Sequence, residues 1–248
     1  MPIDINLVSS FQMGTIQPEQ ADRIYEMLLN LWKDRDVDEA QERYVVESYR
    51  RNFFREDRRF VAEAIVDICR GHEPKPARVL EMGCANAPLL HFFKEVAPEV
   101  PVEFVGIEPY KPFIADVNEL FPEATMVDAT AEQFAEFTEA ECPPPFRLFT
   151  ATVALCMMHP RVAQACIGKA AELCDEILLY DFVVNTMGGI SATEPVAFIW
   201  KPEIKQFYFA HCFESYFQAC GFRLVDIQPR VHESGKHGFG MIRAVRAD

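Results

Sequence analysis

Several things are scarce in this chain. It has eight cysteines, and no two of them stand at C-x-x-C spacing. The usual zinc-ribbon and redox-pair patterns therefore have no support, and no metal site is expected. No apolar run approaches the roughly 18 residues a membrane helix needs. The first residues lack a basic segment followed by an apolar one, so no secretory signal is read there. Basic charge is also in short supply, with 24 Lys and Arg against 38 Asp and Glu, a net charge of -14. A field of that sign repels nucleic acid. The densest arginine cluster, "RRNFFREDRR" at 50–59, is interrupted by acids and reads as a solvated helix face. Internal repeats and low-complexity tracts are missing too. These absences lead to the expectation of a cytoplasmic protein that engages neither nucleic acid nor membrane. Its thiols (Cys69, Cys84, Cys156, Cys166, Cys174 and Cys220 among them) would be reduced and act as small hydrophobes.

What is present fits a globular chain of 248 residues, 50% hydrophobic and 25% charged, long enough to bury a sizeable core. Residues 18–33 space their apolar positions helically, and residues 39–70 continue in that mode. Residues 1–74 are therefore expected to form a helical cap. After the proline-rich "HEPKPA" the pattern becomes alternating. Strands are expected at 78–82, 102–108, 124–129, 146–155 and 176–184, and helices at 87–97, 111–121, 131–138 and 161–174. Runs apolar on both faces, alternating with helices, indicate a parallel sheet covered on two sides. A helix at 213–222 and two strands at 222–231 and 239–247, joined without a helix, should close the sheet with an antiparallel pair. The expectation for 75–248 is an α/β, doubly wound, mostly parallel seven-stranded sheet with an antiparallel last strand and a lid insert at 186–213.

Ligands of such sheets bind beyond the carboxyl ends of the strands, where strand order reverses. The first strand runs into "VLEMGCANAPLL" (79–90). A dinucleotide loop would read G-x-G-x-x-G, but this one offers Gly83 and then alanine at 85 and 87. The informative residue is Glu81. Its carboxylate is a poor neighbour for a pyrophosphate and a good acceptor for an amino acid's ammonium group. Alanine at 85 and 87 fits if the backbone there keeps a negative φ, because alanine disfavours the left-handed region. The second strand ends at Glu108 and the third at Asp128. Each acid alone could be a helix cap, but three acids ending three consecutive strands point to one ligand.

At these residues the sequence resembles the class I S-adenosylmethionine-dependent methyltransferase family, whose first motif reads like V-L-E-x-G-C-G-x-G-x-x-L. The resemblance covers roughly 75–247. It implies S-adenosylmethionine as cofactor, with Glu108 on the ribose hydroxyls and Asp128 on the adenine amine beside the Ala129 N–H. Thr152 and Val153 would lie beneath the methionine portion. Gly83, Ala85, Asn86 and Pro109 complete the expected contacts.

Methyl transfer is an in-line displacement in which alignment of the acceptor is most of the task. His159 in "LCMMHP" and Asp181 in "LLYDFVV" are the catalytic candidates. His159 lies slightly later than the family's histidines, where this chain has Cys156 and Met157. For the acceptor, the candidates are Tyr49 of the cap and Trp200, Tyr208 and His211 of the insert. Gly188 and Gly189 could hinge the insert, and Tyr25, Trp32, Tyr44 and Phe53 add cap aromatics. The expected activity is methylation of an oxygen or nitrogen on a small-molecule acceptor, in specialised metabolism. A peptide or protein side-chain methyltransferase and a cofactor-binding scaffold without activity are the alternatives, and a homodimer is left open.

Overall fold

A computed structural model describes residues 12–33, 46–73, 75–183, 196–201, 206–229 and 238–247. In chain order the elements begin with β1 (Gln12–Ile16), α1 (Pro18–Lys33) and α2 (Glu56–Arg70). The α/β region follows with β2 (Ala77–Met82), α3 (Pro88–Val96), β3 (Val102–Ile107), α4 (Lys111–Leu120) and β4 (Thr125–Val127). It continues with α5 (Ala131–Ala135), β5 (Phe146–Thr152), α6 (Pro160–Leu173) and β6 (Cys174–Phe182). Last come β7 (Val196–Lys201), β8 (Gln206–Phe209), α7 (Phe213–Ala219), β9 (Phe222–Pro229) and β10 (Phe239–Arg246).

The seven-stranded sheet has the order β4-β3-β2-β5-β6-β10-β9. β2 pairs in parallel with both β3 and β5, while β10 runs antiparallel to both β6 and β9. The expected sheet, with its reversed last strand, is the one observed. Strand order reverses between β2 and β5, whose carboxyl ends lie side by side at Met82 and Ala151. Alternation along the strands loads both faces. Leu80, Met82, Ile107, Phe149 and Leu179 pack under α5, α6 and α7. Val79, Phe104, Leu148, Leu178 and Tyr180 pack under α2, α3 and α4. Three layers result, as period-2 alternation in a buried parallel sheet requires.

Three expectations need correction. The helix expected over 39–70 is interrupted. Residues 46–50 are helical, Asn52–Phe54 form a 3₁₀ turn, and Arg55 is extended (φ -69°, ψ 142°) before α2 begins. The break lets Phe53 drop into the core while Phe54 meets Phe92 at 5.3 Å. The strand expected to reach residue 155 ends at Thr152, because Val153 turns to a positive φ of 55°. The cap and the insert are not only helix and lid. β1, β7 and β8 form a separate antiparallel sheet in the order β1-β7-β8. "VAFIWK" and "QFYF" are rich in β-branched and aromatic residues, which suit a pleated surface better than a loop. His211 lies in the link between β8 and α7. Tyr44, Gly188 and Gly189, and the side chains of Trp32 and Trp200, lie outside the described residues.

Candidate functional site

A cavity partly open to solvent lies over the carboxyl ends of β2, β3 and β5. One part is walled by the strand ends, with Glu81, Gly83, Cys84, Ala85, Glu108, Pro109, Ala129, Thr130, Thr152 and Val153. The other is walled by the N-terminal helices and the turn after β5, with Tyr25, Leu28, Tyr49, Asn52, Phe53, Arg58, Met157 and Met158.

Glu81 is 2% exposed, and its Oε2 has no hydrogen-bond partner. Burial, with a smaller contribution from the neighbouring Glu108 charge, pushes its carboxyl up to about 8. Glu108 is also buried, yet both its oxygens are occupied. Oε2 accepts from the Ala85 N–H (2.9 Å) and Oε1 from the Tyr110 N–H (3.0 Å). Burial raises this carboxyl to about 7, against the lowering effect of those two hydrogen bonds. Glu108 thus ties the loop after β2 to the end of β3 while facing the cavity.

The loop itself overturns the negative-φ condition set for alanine. Gly83, Ala85 and Ala87 all sit in the left-handed region, at φ 62°, 48° and 50°. Glycine is required at 83, because a Cβ there would lie 2.7 Å from the Ala154 Cβ. At 85 and 87 alanine adopts the glycine conformation at a cost of about 1–2 kcal/mol each. Local bonds hold it there. The Ala85 N–H is held by Glu108, and the Ala87 N–H donates to the Cys84 carbonyl at 2.9 Å. Asn86 Nδ2 donates to the Val46 carbonyl (2.7 Å) and to Asp116 Oδ2 (2.9 Å), and Arg50 forks onto the same Asp116. Val153 adds a third strained residue at the cavity rim, its N–H held by the Tyr180 carbonyl at 2.8 Å. Backbone strain persists only where the surroundings over-determine it, and it gathers at ligand sites.

The structure brings together most of the expected cofactor residues and sets others apart. Glu81, Gly83, Ala85, Glu108, Pro109, Ala129, Thr152, Val153 and the acceptor candidate Tyr49 line one cavity. Asn86 is turned away into the Arg50–Asp116 network. Asp128 is exposed in a shallow depression beside Gln133 and Glu136, outside the main cavity. Its neighbours Ala129 and Thr130 supply the wall instead, and Thr130 also begins α5 with a capping box to Gln133.

The two catalytic candidates are not in the cavity wall. His159 caps α6, where its Nδ1 accepts from the Arg161 N–H at 3.2 Å, and its ring packs against Phe209. Burial lowers its pKa first and Arg161 lowers it further, so the ring is neutral near pH 7. Asp181 is fully buried and accepts from the Cys156 N–H (3.0 Å) and the Phe182 N–H (2.7 Å), fixing the turn after β5. Of the acceptor candidates, His211 donates from Nε2 to the Leu155 carbonyl at 2.7 Å. Tyr208 packs its ring against Phe182 at 5.3 Å. Each of these four side chains packs in or bonds to the framework around the site, and the His159 Nε2 is buried without a hydrogen-bond partner.

Arg58 was missed. The cluster at 50–59 reads as a solvated face, yet Arg58 precedes Val61, Ala62 and Ile65 at helical spacing, which puts it on the buried stripe of α2. That spacing was the available signal. Among the described residues, no group of three or more His, Cys, Asp or Glu could hold a metal ion. No described helix is long and apolar enough to cross a membrane.

No family model and no curated protein matches the chain, whereas solved structures do. The magnesium protoporphyrin IX methyltransferase of Synechocystis PCC 6803, with bound SAM, superposes with a TM-score of 0.56 at 12% identity, covering 90% of this chain and 97% of that one. The Burkholderia thailandensis 1,6-didemethyltoxoflavin-N1-methyltransferase, with S-adenosylhomocysteine bound, gives 0.59 at 13% identity, covering 100% and 99%. This chain has the methyltransferase fold. The plantazolicin methyltransferase BpumL, in complex with a monoazolic desmethylPZN analogue and SAH, gives 0.61 at 11% identity over 93% of this chain and 97% of that one. Each of these alignments covers 90% or more of this chain.

Proposed function

We propose that the chain is an S-adenosylmethionine-dependent methyltransferase that modifies an oxygen or nitrogen of a small-molecule acceptor. The observation that carries this reading is the unpartnered, buried carboxyl of Glu81 beside a left-handed loop at the sheet's switch point. A buried carboxylate without a partner costs free energy, and a cationic ligand removes that cost. Glu81 holds the ligand's ammonium group. Glu108 offers its remaining lone pairs to ribose hydroxyls while it anchors Ala85, as a carboxylate with two oxygens and about four acceptor sites is able to do. Ala129 and Thr130 form the wall for the adenine. When bound, S-adenosylmethionine supplies a methyl group on sulfur, already activated for displacement.

The rest of the task is positioning. Thr152 and Val153 line the cavity beside the Gly83 loop, and Tyr25, Tyr49 and Met157 face them from the N-terminal side and the turn after β5. Among the described residues this wall contains no histidine, so alignment of an acceptor that already carries a lone pair carries more of the work than proton removal. An aromatic and thioether wall supports a small acceptor over an exposed polypeptide tail.

The test is binding followed by transfer. Calorimetry should show S-adenosylmethionine binding to the whole chain, and Glu81→Gln should weaken it. With methyl-labelled cofactor and a cell extract, label should move to small molecules. Failure to bind at millimolar cofactor would end this reading, and label in polypeptide would redirect it to protein substrates.

A further inference from the structure

The N-terminal wall of the cavity holds a cation. Arg58, in the first turn of α2, has a side chain only 17% exposed and lines the cavity. Its Nε is buried without a hydrogen-bond partner, and among the described residues its nearest carboxylate oxygen, on Asp57, is 4.0 Å away. The other arginines of the segment are paired. Arg51 meets Glu95 at 2.6 Å, Arg55 meets Asp57 at 3.1 Å, and Arg59 meets Glu63 at 2.9 Å. Burial and the nearby Arg55 charge both press the Arg58 guanidinium towards a lower pKa, with Asp57, Tyr180 and Tyr49 opposing. Glu81 and Glu108 are not its partners. The first is perturbed by burial and Glu108, the second by burial and two backbone N–H groups. Among the described residues the cavity thus has an acidic end without a cation and a cationic end whose one nearby carboxylate, Asp57, is already bonded to Arg55. Tyr49, Phe53 and Met157 surround the second end with apolar surface.

We propose that Arg58 binds an acidic group of the acceptor, a carboxylate carried on an aromatic or similarly flat apolar body. The inference rests on the methyltransferase reading and specifies its acceptor. A guanidinium presents parallel N–H donors that match the two oxygens of a carboxylate, and the pair gains strength where water is excluded. One guanidinium neutralises one anionic charge, which suits a monocarboxylate. The flat body then packs on the Tyr49 ring, as stacked aromatics do. The cofactor's own carboxylate is the other source of the same chemistry, and the two sources are separable.

The experiment is calorimetry on the full chain, with and without saturating S-adenosylhomocysteine. The probes are 3-phenylpropionate and indole-3-acetate, each beside its neutral amide. Both acids should bind, with the amides at least about tenfold weaker, the scale of a lost charge-assisted hydrogen bond. Arg58→Gln should erase the difference between acid and amide and leave S-adenosylhomocysteine affinity within about twofold. Arg58→Lys should keep part of the difference, because the charge stays and the fork is lost. Unfolding midpoints of both variants confirm that the fold is retained. The proposal is overturned if amides bind as well as acids, if Arg58→Gln binds acids as before, or if neither acid binds at about 10 mM. A tenfold loss of S-adenosylhomocysteine affinity in Arg58→Gln would also overturn it, by giving the guanidinium to the cofactor. If the unmutated chain discriminates acid from amide through Arg58 but does not bind S-adenosylhomocysteine, the methyltransferase reading fails and the acid site stands.

Discussion

The two ends of the central sheet treat a buried carboxylate in opposite ways. Near the amino end of β6, Glu176 is 1% exposed and sits between two cations, with Arg147 on Oε2 at 2.6 Å and Arg243 on Oε1. At the carboxyl end of β2, Glu81 is 2% exposed and has neither a cation nor, at Oε2, any hydrogen bond. The desolvation cost is similar in kind at both places. For Glu176 the protein itself meets it with two arginines, and for Glu81 it does not. A residue left uncompensated in one half of a framework that compensates its counterpart in the other marks where a ligand completes the structure.

The amino end can be broken first, with the largest effect. Glu176→Gln leaves two arginines facing a neutral amide. Removing one partner of a fully buried pair costs about 3–5 kcal/mol. Both arginines are partly exposed and can turn to water, so a loss of about 2–3 kcal/mol is expected. Urea denaturation measures it, and S-adenosylhomocysteine affinity should be unchanged. A stability loss below about 0.5 kcal/mol would mean the ion pairs are ornamental and the contrast between the ends false.

Glu81→Gln should do the reverse, sparing the fold and removing the ligand. Cofactor affinity should fall by about 1–3 kcal/mol, the scale for losing a charged acceptor. The pH dependence sharpens the point. An unfolded glutamate has a pKa near 4.3, and Glu81 in the folded chain is raised to about 8. Between those values the folded state keeps a proton the unfolded state has released. Stability without ligand therefore falls as pH rises through that window, by up to about 1.4 kcal/mol per pH unit for one group. Glu108, raised to about 7, acts in the same direction. Urea midpoints at pH 5.5, 6.5 and 7.5 should decline for the unmutated chain and decline less for Glu81→Gln. Equal slopes would show that Glu81 carries its charge at no cost.

The difference between the ends also explains what the sequence made legible. Period-2 alternation and proline or glycine punctuation are local signals, and they placed the strands and helices of the α/β region within a few residues. Acids at strand ends were equally visible, and Glu81 and Glu108 do meet in one cavity. Tertiary pairings were not visible. Nothing near "YDFVV" says that Asp181 will be met by the Cys156 N–H, and nothing in "GCANA" says that Asn86 will be drawn to Asp116 on α4. The β1-β7-β8 sheet joins segments about 180 residues apart, and each piece alone is a short apolar run compatible with several structures. Arg58 is hidden differently. Composition gives its segment to solvent, while the helical phase it shares with Val61, Ala62 and Ile65 buries it.

His159 tests the comparison from inside the ligand end, because the framework holds its Nδ1 while its Nε2 is buried without a hydrogen bond. Its Nδ1 accepts from the Arg161 N–H and so begins α6. His159→Ala should cost about 1 kcal/mol, as loss of an N-cap acceptor does, and His159→Asn should recover most of it. Methyl transfer by the folded Ala variant should be within about twofold of the parent, a change smaller than general acid–base catalysis supplies. A hundredfold loss of turnover at full cofactor occupancy, with stability restored in the Asn variant but turnover not, would return a chemical role to this ring.

The smallest effect concerns the alanine loop, where the carboxyl end holds strain that the amino end has no use for. Ala85 lies at φ 48°, held by the Glu108 carboxylate on its N–H. Ala85→Gly removes a steric cost of about 1–2 kcal/mol. It also gives the unfolded chain more freedom, which opposes the gain by about 0.4–1 kcal/mol. The net expectation is a stabilisation of about 0.5–1 kcal/mol. The hydrogen bond to Glu108 survives, since it uses the backbone. If the strain is only a tolerated departure from glycine, Ala85→Gly raises the unfolding midpoint and leaves cofactor affinity alone. If the methyl group of Ala85 packs on the ligand, affinity falls while stability rises, and the two readouts part company. A stability loss would mean that the left-handed backbone at 85 is not strained in this setting. The loop would then rest on the Glu108 and Asn86 bonds without cost, and its two alanines would be no burden on the binding site.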